Sequence, residues 1–414
     1  MLNSEKSFTL LELLIVIGIL AVLATSAVVV LNPAELLKQS RDTKRIADLK
    51  ALNSALNLYS LGNGSYGSAN TVYISLPYAT ADCDYGSGNP LLLPSLPSGW
   101  NYSCKSDTDY RKIDSTGWVP VDLTLIESGA PFSALPIDPI NNSLSGLYYN
   151  YVASPADYVF ASLLESKKYL KQIALTDGGS DDARYEIGRN LTLWTNALAI
   201  AGYWKLDESS GTTAVDFTMN GNNGTLTNGP TWTIGKVNNG LSFNGVNNYV
   251  IVPDVPELSG GRDLTVLTWF KLNAGGGDPG NPIPFVFKFY GVDNKDWGLG
   301  MINDLIYFGY ELAGNNWDNP PTNGLMGTNV ISAGDWHYGA FTYNNSTREV
   351  KIYLNGEPEN STILPSTSPD TPTNVEFGRS GYKNRFFNGF LDEIRIYNRV
   401  LFDWEIQALF NSAN

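Results

Sequence analysis

The pattern of apolar and polar positions changes twice along the 414 residues of the chain. Residues 8–31, FTLLELLIVIGILAVLATSAVVVL, carry one charge, Glu12. At about 1.5 Å per residue such a helix runs roughly 36 Å, enough to span a bilayer with some tilt. It follows a short polar leader, MLNSEKS, and its apolar run is longer than that of an ordinary secretory signal. Beyond it, Ile46, Leu49, Leu52, Leu56 and Tyr59 recur at spacings of three and four. That period predicts an amphipathic helix, with Lys44, Arg45, Asp48 and Lys50 between the apolar positions. Asn32-Pro33 predicts a kink between the two segments, because proline lacks an N–H and clashes with the preceding turn.

Residues 60–198 are rich in Gly, Ser, Asn, Pro and Tyr, with short β-like runs such as TVYISLPY and LYYNYV. Asp138-Pro139 reads as a turn before a strand around Tyr148–Tyr151. A linker near 195–201 then leads into a stretch with strand periodicity to the C-terminus. Val350, Ile352 and Leu354 alternate with Lys351 and Tyr353, and Asn355-Gly356 supplies a tight hairpin turn. DLTVLTWFKL, VEFGRS and GFLDEIRIYNR read as further strands. The pattern predicts an α+β unit built on a long N-terminal helix, followed by an all-β unit over 202–414.

Composition narrows the function. There are 27 basic and 41 acidic residues, a net charge of −14, which argues against a general nucleic-acid binder. Charged residues are only 16% and aromatic residues 12%, a profile that suits an all-β surface protein. One His and two Cys exclude a Cys/His zinc cluster and leave any Ser/His or Cys/His catalysis resting on His337. Cys83 and Cys104 close a 22-residue loop, which forms a disulfide if the chain is exported and holds two free thiols otherwise.

Glu12 is the odd residue of the first segment. A carboxylate inside an apolar membrane helix is costly unless it reaches the interface or meets a cation. Cutting the chain between Ser7 and Phe8 would place a new ammonium on Phe8 and make Glu12 the fifth residue of the mature chain. The short leader, the Phe after the cut, that Glu and the run FTLLELLIVIGILAVL resemble the type IV pilins and pseudopilins over residues 1–59. The resemblance implies a leader at 1–7 and cleavage and N-methylation of Phe8 by a prepilin peptidase. It implies a filament-core helix at 8–31 that sits in the membrane before assembly. It also implies a head over 32–198 with the amphipathic half-helix as its spine, packed on a small antiparallel sheet. Other pilin subunits are the implied partners. Ser7 departs from the usual Gly before the cut. Lys38, Arg41, Lys44, Arg45 and Lys50 after the span would by charge count face the cytoplasm, but the resemblance favours an exported bulk. LPIDPINNSLSGLYYNYVASPADYVFASLLES is similar to the sheet of such heads. In DGGSDDARYEIG, Asp177, Asp181 and Asp182 form either a solvated loop or, as in some related pseudopilins, a calcium site.

The second unit resembles the laminin G-like, concanavalin A-like jelly rolls. GYWKLDESSGTTAVDFTMNGNNGTL, LSFNGVNNYVIVPD, DWHYGAFTYNNSTREVKIYLNGE and NGFLDEIRIYNRVLFDWEI match its blocks in order. The resemblance implies two packed antiparallel sheets and hosts sugar binding, adhesion or glycoside hydrolysis. On regular alternation, Phe390, Asp392, Ile394 and Ile396 share one strand face, so Asp392 needs a partner there. The family often supplies a structural Ca²⁺, with Asp216, Asn222 and Glu208 as further ligands to Asp392. The alternative is that Asp392 accepts backbone N–H bonds. Adjacent Asp392 and Glu393 point to opposite faces of a regular strand, and no E-x-D-x-E run is present for a retaining glycosidase. Trp297 and Trp317 lie in polar, loop-like contexts suited to a sugar platform, although core packing is the default for each. Trp204, Trp269 and Trp336 read as core.

The expected protein is a non-enzymatic subunit of a type IV pilus-like filament that displays a jelly-roll domain for adhesion to an extracellular glycan or protein. A minor pilin or pseudopilin of a secretion or DNA-uptake machine is the first alternative. A pilin-anchored glycosidase is the second.

Overall fold

The structure is a computed structural model, and it describes residues 9–59, 64–78, 83, 91–273, 282–289, 295–310, 324–367, 370–381 and 385–413. Side chains of Ala24, Phe289, Lys295 and of residues 26–31 lie outside the description. Helix α1 spans Leu10–Leu31 and α2 spans Pro33–Tyr59. They are divided at Asn32, whose φ of 38° breaks the helix, while its carbonyl and side chain accept from the Glu35 N–H at 3.0 and 3.3 Å. Proline at the first position of α2 costs nothing, since that N–H has no helical partner. Every large apolar side chain described in α1, from Leu10 to Leu23, is exposed. Among the described residues no helix is long and apolar enough to cross a membrane.

The α2 face carrying Leu49, Leu52 and Leu56 is fully buried, with Ile46 and Tyr59 packed beside it. It covers one face of a five-stranded sheet of β1 (Thr71–Pro77), β2 (Asn101–Lys105), β3 (Tyr149–Ala153), β4 (Tyr158–Leu163) and β5 (Arg184–Gly188), in the order β2-β1-β3-β4-β5. The sheet is antiparallel except that β1 and β2 run parallel. Tyr149, Tyr151, Tyr158 and Phe160 alternate onto the α2 side of the sheet, while Val152, Val159 and Ala161 face the other way. Cys83 and Cys104 form a disulfide.

Three charged residues of α2, Asp42, Arg45 and Asp48, are buried rather than solvated. Arg45 is inaccessible and donates to Asp138 (Nε–Oδ2 2.6 Å), Asp42 (2.7 Å) and Glu165 (2.6 Å). Asp48 accepts from Tyr149 Oη at 2.9 Å and pairs with Lys44. Burial works against the Arg45 charge, but the carboxylates around it, Asp138 first, outweigh that and raise its pKa.

Helices α3 (Lys167–Gln172) and α4 (Thr192–Ala197) follow β4 and β5, and β6 starts at Ile200 and runs to Trp204. The 195–201 segment is therefore structured: it ends α4 and opens the first strand of the sandwich. Among the described residues that sandwich has, besides a two-stranded ribbon of Arg379–Ser380 with Arg385–Phe386, two large antiparallel sheets. One orders Glu357–Ile363, Glu349–Leu354, Trp336–Tyr343, Leu264–Leu272, Asn388–Tyr397, Asn239–Asn244 and Thr231–Ile234, with β6 also pairing Asn388–Tyr397. The other orders Gly324–Val330, Leu305–Tyr310, Lys295–Ile302, Ile283–Phe289, Val375–Phe377, Tyr249–Val252, Gly224–Thr227 and Thr213–Ala214. The Asn355-Gly356 turn joins its strands with φ of 54° and 84°, the left-handed pair a two-residue hairpin requires.

The first sheet is buried on both faces. Val266, Phe341, Val350, Ile352 and Ile396 fill the sandwich core, while Leu267, Trp269, Tyr338, Tyr353 and Tyr397 pack on the free face of the head sheet with Val72, Val152 and Val159. The C-terminal helix α5 (Asp403–Ser412) joins the same cluster through Ile406 and Leu409. Gly146, at φ 70°, lies under Trp404 of α5, where a Cβ would come within 2.3 Å of the ring. Head and sandwich thus share one hydrophobic core.

Candidate functional site

The strand Asn388–Tyr397 is irregular where chemistry was expected. Glu393 has a φ of 52°, and the pairing with Leu264–Leu272 shifts register there, which is a β-bulge. Leu391 before the bulge and Ile394 and Ile396 after it face the sandwich core. Asp392, paired with Trp269, lies toward the head, so it does not share a face with Ile394 and Ile396 as regular alternation predicts. Its Oδ2 accepts from the Lys236 and Val237 N–H groups at 2.8 and 2.9 Å, and its Oδ1 from the Glu393 N–H at 2.9 Å. Glu393 turns to the same side instead of the opposite one. It accepts from Tyr203 Oη at 2.5 Å and from Arg395 at 2.8 Å.

Arg395 also donates to Asp182 of the head, which accepts from Tyr203 Oη at 2.8 Å. Beside it Asp181 pairs with Arg184, and Arg399 holds Glu405 of α5 through bonds of 2.8 and 2.7 Å. The acidic loop is therefore neither solvated nor open. Ser180, Asp181 and Asp182 are buried at the joint between the units. Burial pushes Asp177 up to about 7, against the N–H bonds it accepts from Glu186 and Gly179. Burial, with Asp177 next, also raises Glu186 well above the ordinary range.

The proposed calcium ligands do not form one set. Asp216 Oδ1 accepts from the Tyr203 and Thr218 N–H groups and from Thr218 Oγ1, and its Oδ2 accepts from the Asn222 N–H at 3.1 Å. Glu208 Oε1 accepts from the Val215 N–H at 2.8 Å. Glu208, Asp216 and Asn222 organise one loop, while Asp392 is spent on the 236–237 turn. Among the described residues no three carboxylate, imidazole or thiol groups are placed to hold a metal ion. The residues present do not fit calcium.

Trp297 is 1% exposed, and its Nε1 donates to the Leu258 carbonyl at 3.2 Å. It lies in the strand Lys295–Ile302 against Phe341, which removes it as a sugar platform. Trp317, Ser7 and Phe8 lie outside the described residues. Glu12 accepts from the Thr9 N–H and Oγ1, both at 2.9 Å. His337 is held by the Ser332 carbonyl and Asn355.

A cleft of about 610 Å³ opens between the two units. Leu96, Pro97, Ser98 and Asn196 wall it on the head side, and Asn220, Asn222, Val255, Glu257, Arg262 and Asn398 on the sandwich side. Its volume lies in the usual range for small-molecule sites. The Asp216 bonds hold the loop that carries Asn220 and Asn222. Asn222 Nδ2 donates to the Ala201 carbonyl at 2.9 Å, and Asn220 Nδ2 to Ile200 and Ala201 at 3.2 Å. The sequence offered no signal for Arg262 or Asn398, which the antiparallel pairing of Leu264–Leu272 with Asn388–Tyr397 brings to one end of the sandwich sheet.

The first 28 residues bear on the family. Residues 2–28 match the prokaryotic N-terminal methylation motif. The chain is 32% identical over 117 residues to the type II secretion system core protein G of Klebsiella michiganensis, covering 27% of this chain and 81% of that protein. The chain belongs to the core protein G family. This core protein G relative carries in addition a match, at 243–407, to the concanavalin A-like lectin/glucanases superfamily. Its fold is similar to the binding domain of Paraclostridial mosquitocidal protein 1, at 19% identity and a TM-score of 0.43 over 52% of each chain, so it spans about half that structure. It is also similar to domain 4 of the arabinanase AbnA from Geobacillus stearothermophilus, at 20% identity and a TM-score of 0.39 over 51% of this chain and 97% of that one. The protein is a pilin-like subunit with a lectin-like domain fused to its head.

Proposed function

We propose that this protein is processed between Ser7 and Phe8 by a prepilin peptidase, waits in the membrane through its N-terminal helix, and then assembles into an exported filament that presents the sandwich to an extracellular glycan or protein. The observation that carries the reading is α1. From Leu10 to Leu23 its large apolar side chains are exposed all round, while α2 seals onto the head. A helix apolar on every side needs other helices or lipid around it. In a bundle, the charge of Glu12 is met by the new ammonium of Phe8, and Thr9 already caps that carboxylate.

The sandwich is read as a binder and not a hydrolase. Asp392 and Glu393, the adjacent carboxyls of its longest strand, are 0% and 2% exposed under the head, out of a polymer's reach. The test is Glu12→Ala in the producing cell. The expected result is a folded head and sandwich with filament yield strongly reduced, and a mature N-terminus at Phe8 by mass spectrometry. Normal filaments, or a chain that still begins with Met1, would overturn the reading. The similarity to core protein G favours a second reading, a subunit of a secretion pseudopilus. Deletion would then stop secretion without removing a surface fibre.

A further inference from the structure

We propose that the cleft between head and sandwich is the saccharide site, and that it takes a carboxylate-bearing sugar whose acid group is held by Arg262. The inference rests on the sugar-binding part of the reading above and adds place and ligand class. The Arg262 guanidinium makes no hydrogen bond or ion pair among the described residues, and its Nε is buried without a partner. A planar cation partly withdrawn from water and left unspent is matched by a carboxylate, which it can grip through two parallel bonds. The other charged lining residue, Glu257, is exposed and sits at the rim.

The amides of the cleft supply the complementary half. The Nδ2 ends of Asn220 and Asn222 are tied to the Ile200 and Ala201 carbonyls. Their Oδ1 ends are the acceptors left over. Asn398 Oδ1 is buried and has no partner. Three amide oxygens with unspent acceptor capacity beside one unspent cation suit a ring that donates from hydroxyls and accepts through an acid. Leaving the buried Arg262 Nε and Asn398 Oδ1 unpaired is unfavourable, so a ligand that satisfies both gains in affinity and selectivity. Pro97 and Val255 offer apolar surface for the C–H face of the ring. The site exists only in the fused chain, because the head contributes one wall.

The full-length protein in detergent is titrated calorimetrically with trigalacturonic acid, its methyl ester and galactotriose. The acid should bind about tenfold or more tightly than its ester. Arg262→Gln should bring the acid down to the level of the ester while leaving the ester unchanged. Ser98→Trp, on the exposed opposite wall, should weaken acid and ester alike. Equal binding of acid and ester, or acid binding untouched by Arg262→Gln, overturns the inference. If galactotriose binds and the acid does not, this ligand class falls while the sugar-binding reading stands. If none of the three binds, the cleft falls as a saccharide site, and filament assembly by the Glu12 test remains an independent result.

Discussion

The Arg395 guanidinium of the sandwich donates to the Asp182 carboxylate of the head, 213 residues earlier in the chain, and both groups are buried. Tyr203 and Glu393 complete the network around the same nitrogen. Hydrophobic contact brings the two units together, since one core holds Val159 of the head and Trp269 of the sandwich. The ion pair fixes how they meet.

Arg395→Met strands Asp182 and Glu393 without their cation in a low-dielectric site. Losing one partner of such a group costs about 3–5 kcal/mol. The double variant with Asp182→Asn should recover part of that loss, because the two positions are coupled. Differential scanning calorimetry should show one transition for wild type, and two for Arg395→Met as head and sandwich separate. A single unshifted transition in the variant would show that the pair contributes nothing.

Stability should fall between about pH 4 and 7. Asp177 is raised by burial to about 7, against roughly 3.9 in an unfolded chain. The folded state therefore keeps a proton that the unfolded state has lost. The stabilising contribution is full below about pH 4 and is gone once the pH passes 7. Asp296, pushed up by burial to about 6, acts in the same direction. Melting temperature against pH should decline over this window, and Asp177→Asn should flatten the decline. A profile that rises toward pH 8 would contradict the buried, protonated state of Asp177.

Much of this architecture was legible in the chain. The apolar period of α2, the kink at Asn32 and the Asn355-Gly356 hairpin follow from local chemistry alone. The bulge at Glu393 was not legible, because LDEIRIY reads as regular alternation and a one-residue shift leaves no compositional mark. Nor was the burial of Asp182, whose partner lies in the other unit. Trp297 was misread because its polar neighbours Asp296 and Lys295 resemble a loop, although the ring faces the core. The cleft leaves no local mark, since its walls come from five separated segments.

Chelation should leave the sandwich unchanged. Asp392 takes three backbone N–H bonds and Asp216 takes three N–H bonds and a hydroxyl. These donors occupy the lone pairs a calcium ion would need. Melting in excess EDTA and in millimolar calcium should coincide. A rise in melting temperature with calcium would place a cation among these carboxylates and displace the N–H groups from them.

Removing Arg45 should damage the head as much as removing a large apolar residue on the same helix face. Arg45 joins α2 to Asp138, in the turn before β3, and to Glu165, after β4, while Asp42 accepts from the Glu165 and Ser166 N–H groups. Arg41 reaches Glu165 as well, at 2.7 Å. Arg45→Met leaves Asp138 and Asp42 buried without a cation, which costs about 3–5 kcal/mol. Arg45→Lys should be nearly as harmful, because a single ammonium cannot span three carboxylates in the plane the guanidinium provides. Urea denaturation should show the midpoint falling with the slope unchanged for both variants, while Leu56→Ala falls within about 2–5 kcal/mol. If Arg45→Lys retains wild-type stability, charge alone and not the planar fork holds the spine to the head.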